Sequence, residues 1–381
     1  LCLGSKPGAV TGHNGPVHLT GSGHRGTGWR AGTRPHVNEM NLYTAHKQWA
    51  KRPSDERFTN LDELIAALQS RRQRSAERFT NTGDVYVAAD EEGELHLVDE
   101  SEARYRFTNW SFSQFCNRVK APPQFIATLR PDTAARVLNE RIQEREPCKL
   151  LHIMEGDSSS ILHAVTGRRY GRVWDDEVAR AVQQMVQQRP GWHNPKAKDP
   201  VTGAINPGGL YASDRDVFMF IIDGGSVFDE GPRAVLHRGI IVANSEVGDR
   251  RLTLMTFLFN EVCGNHIIYG AENVDVLNIR HDTRAPERFR NLFLSELARF
   301  MGSDPELARV RAAQRKRLID LPHISHRERL DEDWEKEFAR AYHFSRTEVK
   351  QARKHAEEEE GQFDTVWDAI QGFTEYARGF Q

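Results

Sequence analysis

The chain is short of cysteine, of long apolar runs and of charge of one sign. Its four cysteines, Cys2, Cys116, Cys148 and Cys263, form no C-x-x-C pair. That spacing excludes the usual zinc patterns and leaves free thiols of a reducing compartment as the expectation. No stretch of the sequence approaches the roughly 20 apolar residues that a bilayer-spanning helix needs, and the start lacks a charged-then-apolar signal. A cytoplasmic protein with no membrane partner is therefore expected. The 52 Lys+Arg and 54 Asp+Glu leave a formal net charge of −2. A near-neutral chain has no global field to draw in nucleic acid, so any such attraction has to come from local patches. P-loop, dinucleotide-fingerprint, HExxH and EF-hand spacings are also missing, which argues against an ATPase or a nicotinamide enzyme. Apolar residues amount to only 38%, so the core has to be concentrated in a few segments.

Residues 1–39 are rich in glycine and poor in large side chains. Such a segment cannot offset its ordering entropy by burial, and it reads as a disordered leader. Composition changes at Met40, which raises the possibility that 1–39 is an extension upstream of the functional protein. Residues 40–147 read as a helical and hairpin unit. Asn60 is placed to cap a helix whose Leu61, Leu64, Ile65 and Leu68 share one face. The runs 84–89 and 94–98 form a hairpin, and helices follow from Ser111, Pro123 and Pro131.

Residues 148–285 read as a central α/β sheet domain. Two antiparallel strands, 150–154 and 160–165, precede an amphipathic helix, Asp175–Gln187, and a Pro/Gly/Lys-rich loop over 189–209. Strands are expected at 217–222, 238–243, 266–270 and 274–279. The apolar run 252–263 fits a buried helix, with a strand as the alternative. From residue 286 to the end the pattern is helical. The fold class predicted is α+β: a central antiparallel-sheet domain with an N-terminal helix/hairpin unit and a C-terminal helical extension.

Polar residues crowd the apolar runs of 210–282 and need partners there. Asp214, Arg215, Asp216, Asn244, Ser245, Glu246 and Asn265 form a candidate central site. One arginine between two carboxylates also makes a self-satisfied ion pair, and Ser245 with Gly248 also suits an ordinary strand-to-helix connection. Ser245 lies outside a G-x-S-x-G elbow, which argues against a serine hydrolase. Cys263 ends an apolar run next to His266, where a packed thiol is the plainer reading than a Cys/His pair.

A second set is basic and aromatic: Arg168, Arg169, Tyr170, Arg172 and Trp174, joined by Arg280 and His281, with Arg284 just beyond. Guanidinium forks suit phosphates, and rings between them suit unpaired bases, so this pattern points to single-stranded nucleic acid. Solvated surfaces carry similar clusters. The basic helix RVRAAQRKR (309–317) is expected to be one such face.

Seven ordered blocks, WAKRPSDERF, WSFSQFCNRVKAPPQFIATL, AVTGRRYGRVWDDEV, LYASDRDVFMFI, RGIIVANSEVG, TFLFNEVCGNHIIYGAENV and IRHDTRAPERF, together resemble the phage/plasmid-like protein family, over about residues 40–320. That family is a bacterial group carried on mobile elements and catalogued as a domain of unknown function. The resemblance implies genes that travel with phages and plasmids, often near antirestriction and DNA-processing functions, and supplies no catalytic residues; a role in replication or recombination is expected by analogy. The expectation is a homo-oligomeric binder of single-stranded DNA, with no cofactor and no catalysis. Two other classes stay open: a Mg²⁺-dependent nuclease using Asp214, Asp216, Glu246 and His281, and a protein-binding inhibitor of host defence.

Overall fold

The computed structural model describes residues 53–142, 145–155, 159–198, 205–229, 235–260, 268–269, 276–302, 308–324 and 330–378. The leader 1–39, Cys2, Cys263, Asn265 and His266 lie outside them. The fold is α+β. Contacts divide the chain into a larger unit ending at Arg309 and a smaller one beginning at Val310.

In chain order, β1 (Arg57–Phe58) leads into α1 (Leu61–Gln73), which Asn60 caps by accepting from the Glu63 amide. Four strands follow: β2 (Ser75–Asn81), β3 (Val85–Ala89), β4 (Leu95–Asp99) and β5 (Arg104–Phe107). Then come α2 (Asn109–Arg118), α3 (Pro123–Ile126) and α4 (Pro131–Arg141), β6 (Pro147–Glu155), β7 (Ser159–Gly167) and α5 (Asp175–Gln187). The short strands β8 (Trp192–His193), β9 (Lys196–Lys198), β10 (Ile205–Pro207) and β11 (Leu210–Ala212) precede the long β12 (Val217–Asp229), β13 (Val235–Asn244) and β14 (Leu252–Asn260). β15 (Ile268–Tyr269), β16 (Val276–Ile279) and α6 (Ala285–Gly302) complete the larger unit.

The smaller sheet runs β2-β6-β7-β5-β4-β3, antiparallel except for the parallel β5–β7 pair. It joins β2 to β6 and so spans position 147, where composition suggests a boundary. Helices α2 and α4 cover one face with Phe115, Ala134 and Leu138 against Leu97, Leu150 and Leu162. At the β3 edge Asn139 bonds both backbone groups of Val87, donating to its carbonyl at 2.9 Å and accepting from its amide at 2.8 Å. A side chain thereby occupies hydrogen-bonding groups that another strand could otherwise pair with.

The larger sheet centres on β11-β12-β13-β14, antiparallel throughout. Both its faces are buried. Val217, Met219 and Ile221 point into a core built with α1, α5 and α6, while Phe218, Phe220 and Ile222 join an aromatic cluster on the other face. The run expected to be a buried helix from 252 is strand β14. Leu252 and Leu254 enter one core, and Met255, Phe257 and Phe259 enter the other. A strand buried on both sides loses its apolar/polar alternation, and with it the signal that separates it from a helix. Phe257 lies across Gly239, its register partner on β13, where a Cβ would collide with the ring.

In the smaller unit, α7 (Ala308–Arg315), which spans the division, is followed by α8 (Glu332–Ala341), α9 (Arg346–Glu360) and α10 (Val366–Arg378). Trp334, Phe338, Val349, Ala356 and Phe363 form their core. Ser345 and Glu348 make a capping box at the start of α9, and Gly361 ends it in the left-handed region at φ 73°. Among the described residues no helix is long and apolar enough to cross a membrane.

Candidate functional site

The helix α5 begins without a side-chain cap of its own, because its N-cap is Trp174. Glu246, in the turn after β13, supplies the acceptor: its Oε2 takes the Asp175 amide at 3.2 Å. Arg71, from the last turn of α1, lies between the two acids. Its Nη2 is 2.8 Å from Asp175 Oδ2 and its Nε 3.1 Å from Glu246 Oε1. Asn244 Nδ2 donates to Asp175 Oδ1 at 2.8 Å and to the Val173 carbonyl at 2.9 Å.

All four side chains are buried or nearly so, and burial drives the electrostatics. Burial, followed by the Glu246 charge, pushes the Asp175 carboxyl well above the usual range. Burial works against the Arg71 charge, but Glu246 and Asp175 outweigh it and hold the guanidinium ionised. His163 on β7 reaches this group, with Nε2 3.8 Å from Glu246 Oε1. Burial and the nearby Arg71 and Arg172 charges lower its pKa to about 3, so the ring is neutral.

The remaining central residues divide between inside and outside. Asp216 is buried and paired with Arg250 at 2.7 Å, and the Arg250 guanidinium also lies 4.4 Å from the Phe218 ring centre. Ser245 Oγ donates to the Arg215 carbonyl at 2.6 Å and accepts from the Asp249 amide at 2.9 Å. Asp214 and the Arg215 side chain are exposed, 4.0 Å apart. Asn244, Ser245, Glu246 and Asp216 are thus brought inside, while Asp214 and Arg215 are not. Trp110 and Gln114 of α2 both donate to the Val247 carbonyl, at 3.1 and 2.7 Å. The buried turn therefore ties the larger sheet to the smaller one.

Asp214, Asp216, Glu246 and His281 do not gather their ligand atoms. Among the described residues the one group of such atoms within reach of a single ion is Asp90, Glu94 and His96 on the β3–β4 hairpin.

The basic set also divides. The Arg172 guanidinium is internal: Nε donates to Glu77 Oε2 at 2.9 Å, and Nη1 donates to the Glu246 carbonyl. Tyr170 donates its hydroxyl to the Ser245 carbonyl at 2.9 Å and stacks on His281 at 5.1 Å. Burial raises the Tyr170 pKa, so the phenol stays protonated and keeps that bond. Trp174 lies between guanidiniums, with Arg72 4.8 Å and Arg172 5.6 Å from its ring. Of these residues expected on a ligand, Arg172 is buried, while Tyr170 and Trp174 are partly buried and hold the contacts just given.

Arg168 and Arg169 are exposed at the turn after β7, and Arg280 and Arg284 are exposed on either side of His281–Asp282. These two segments touch. Gly171 donates its amide to the His281 carbonyl at 3.4 Å, and a side chain at Gly171 would overlap the Asp282 carbonyl. His281 Nδ1 meets the Gly171 carbonyl at 3.2 Å, which requires the proton on Nδ1. Burial lowers the His281 pKa to about 4. Arg288 fixes the segment from the other side, donating to the Arg280 carbonyl at 2.9 Å and to Asp282 at 2.6 Å. None of Arg168, Arg169, Arg280 and Arg284 has a salt bridge to a described residue.

Arg71, Asp175, His163 and Arg250 do most to build the central site, and sequence reasoning missed all four as site residues. Arg71 and Asp175 are 104 positions apart, and nothing local in the sequence signals that pairing. The helix-start acids Asp175–Glu177 offered a partial signal, since a buried acid at an uncapped N-terminus needs a cation.

A family described as a domain of unknown function, DUF932, matches residues 162–379, more than half of the chain. No curated protein and no solved structure matches it.

Proposed function

The chain belongs to the DUF932 family, a family defined without an activity, and from that premise we propose that it binds single-stranded DNA without chemistry. The contacts to phosphate are made by the exposed guanidiniums of Arg168, Arg169, Arg280 and Arg284. The observation that carries this reading is the contact of two turns 110 positions apart, through Gly171 and His281. It joins two turns that carry four exposed arginines, none with a salt bridge to a described residue, on a chain whose net charge is −2. Local clustering of this kind is what a near-neutral protein requires for attraction to a polyanion. Arg172, held on Glu77, has a positioning role: it fixes the turn that carries Arg168 and Arg169.

With few phosphate contacts per chain, useful affinity comes from several copies acting together, so a homo-oligomer belongs to the reading. So do a cytoplasmic setting and, from the resemblance to the phage/plasmid-like family, service to replication or recombination of a mobile element.

The test is retention of labelled single-stranded and duplex oligonucleotides across a salt series, with and without Mg²⁺. Salt-sensitive retention of the single strand without cleavage is expected, and Arg168→Glu with Arg169→Glu should abolish it. No retention at low salt, or Mg²⁺-dependent cutting, overturns the reading.

A further inference from the structure

Tyr170 and Trp174 are partly buried, and their rings already meet His281, Arg72 and Arg172, so the basic rim needs another ring if it is to hold bases. We infer that Phe79 is that ring, and that the rim takes nucleic acid whose bases are unpaired rather than a duplex; this rests on the reading above. Phe79 is 65% exposed on β2, the edge strand of the smaller sheet. A large apolar side chain so exposed on a sheet edge is a liability unless something covers it. Its register partner on β6 is Lys149, whose Nζ lies 4.8 Å from the ring centre. That same Nζ donates to the Tyr170 carbonyl at 2.9 Å and pairs with Glu77 at 3.2 Å.

Lys149 therefore links Phe79 directly to the turn that carries Arg168 and Arg169. Its ammonium takes one part of the ring, and the exposure leaves the rest open beside that turn. An open ring next to exposed guanidiniums fits a single strand: the phosphates meet the cations and a base lies on the ring. A duplex keeps its bases stacked on each other and offers this ring nothing, so the ring discriminates between the two forms.

The experiment compares Phe79→Ala, Phe79→Trp and the Arg168→Glu/Arg169→Glu pair in the full chain, using a labelled oligothymidine and a duplex of equal length. Phe79→Ala should weaken single-strand binding roughly 5- to 100-fold, with an unchanged salt slope because no charge is lost. Duplex binding should not move. Phe79→Trp should keep the affinity, and its added tryptophan emission should be quenched by the strand. Should Phe79→Ala bind like the parent while the arginine pair abolishes binding, the stacking role falls and the DNA reading survives. Parent protein that binds no single strand removes both. A change of oligomeric state in Phe79→Ala, with no quenching in Phe79→Trp, makes the ring a contact between copies and also overturns the inference. The side chain is exposed, so each variant should unfold at the parent's temperature.

Discussion

The larger unit uses arginine in two opposite ways within a few residues of each other. In the run Arg168-Arg169-Tyr170-Gly171-Arg172, the first two guanidiniums stand in solvent and the last is enclosed, held by Glu77 and the Glu246 carbonyl. Arg71 and Arg250 belong with Arg172, each held against buried carboxylates, while Arg280 and Arg284 belong with the exposed pair. What separates the groups is partnership across the chain rather than local composition. A buried guanidinium is tolerated only where an acid from elsewhere meets it, whereas an exposed one needs no partner and remains available to a ligand. The junction of buried charges joins α1, α5 and β7 to the turn after β13, and α2 holds the same turn through the Val247 carbonyl.

The comparison breaks most sharply at Glu246. Glu246→Ala removes the acceptor for the Asp175 amide and one partner of Arg71, leaving a buried cation under-compensated. Unfolding by urea should show a loss of roughly 3–5 kcal/mol. Replacing Arg71 by Met in the same chain should recover part of that loss, because the buried cation is gone and Asp175, whose carboxyl burial already pushes upward, can stay protonated without it. If Glu246→Ala is as stable as the parent, the junction does not hold that turn.

A somewhat smaller effect separates the two regions by pH. His281, which couples the rim to its turn, has a folded-state pKa lowered to about 4, against an ordinary value of 6.5. The unfolded chain therefore takes up a proton between these values that the folded chain refuses. The folded protein is destabilised as pH falls through that window, by about 3 kcal/mol at pH 4 for this one group. His163, lowered to about 3, acts in the same direction and extends the loss further into acid. Asp175, raised by burial, acts oppositely: its contribution is present at low pH and is lost as pH rises towards its folded pKa. Urea unfolding at stepped pH should show stability rising from pH 4 to 6.5. His281→Asn, which retains a donor for the Gly171 carbonyl, should reduce that slope and leave the part that His163 contributes. A slope that persists unchanged in the variant assigns the proton elsewhere.

Much of this fold was legible in the sequence where one face of an element meets water. Helix α5 has the bounds that its apolar spacing predicts, since Val178, Val182 and Met185 are buried while Arg180 is exposed. The Asn60 cap and the β3–β4 hairpin follow from equally local chemistry. Legibility ended where burial was complete or partners were remote. Strand β14 lost its alternation between two cores, and Asp216 found Arg250 rather than the adjacent Arg215. The basic and aromatic pattern was visible, but which of its members faced solvent depended on Glu77, Glu246 and His281. Phe79 gave no motif at all: the role proposed for it rests on an edge position and on the lysine opposite it.

The smallest expected effect is the one that sharpens the comparison most. Arg168→Ala with Arg169→Ala removes two guanidiniums from the same five-residue run as Arg172, and neither has a salt bridge to a described residue. Exposed substitutions of this kind move stability by about 0.5 kcal/mol or less. In single-strand binding, each lost phosphate contact should lower the slope of log affinity against log salt by about 0.7, so the pair should lower it by about 1.4. Arg172→Ala should do the reverse. It takes the donor from the Glu246 carbonyl and leaves Glu77 with Lys149 alone, so stability falls first and binding falls only as the turn loosens. If both variants lower stability alike, the division between structural and available arginines is wrong. If Arg168 and Arg169 change neither stability nor salt slope, the rim is a solvated surface and carries no phosphate.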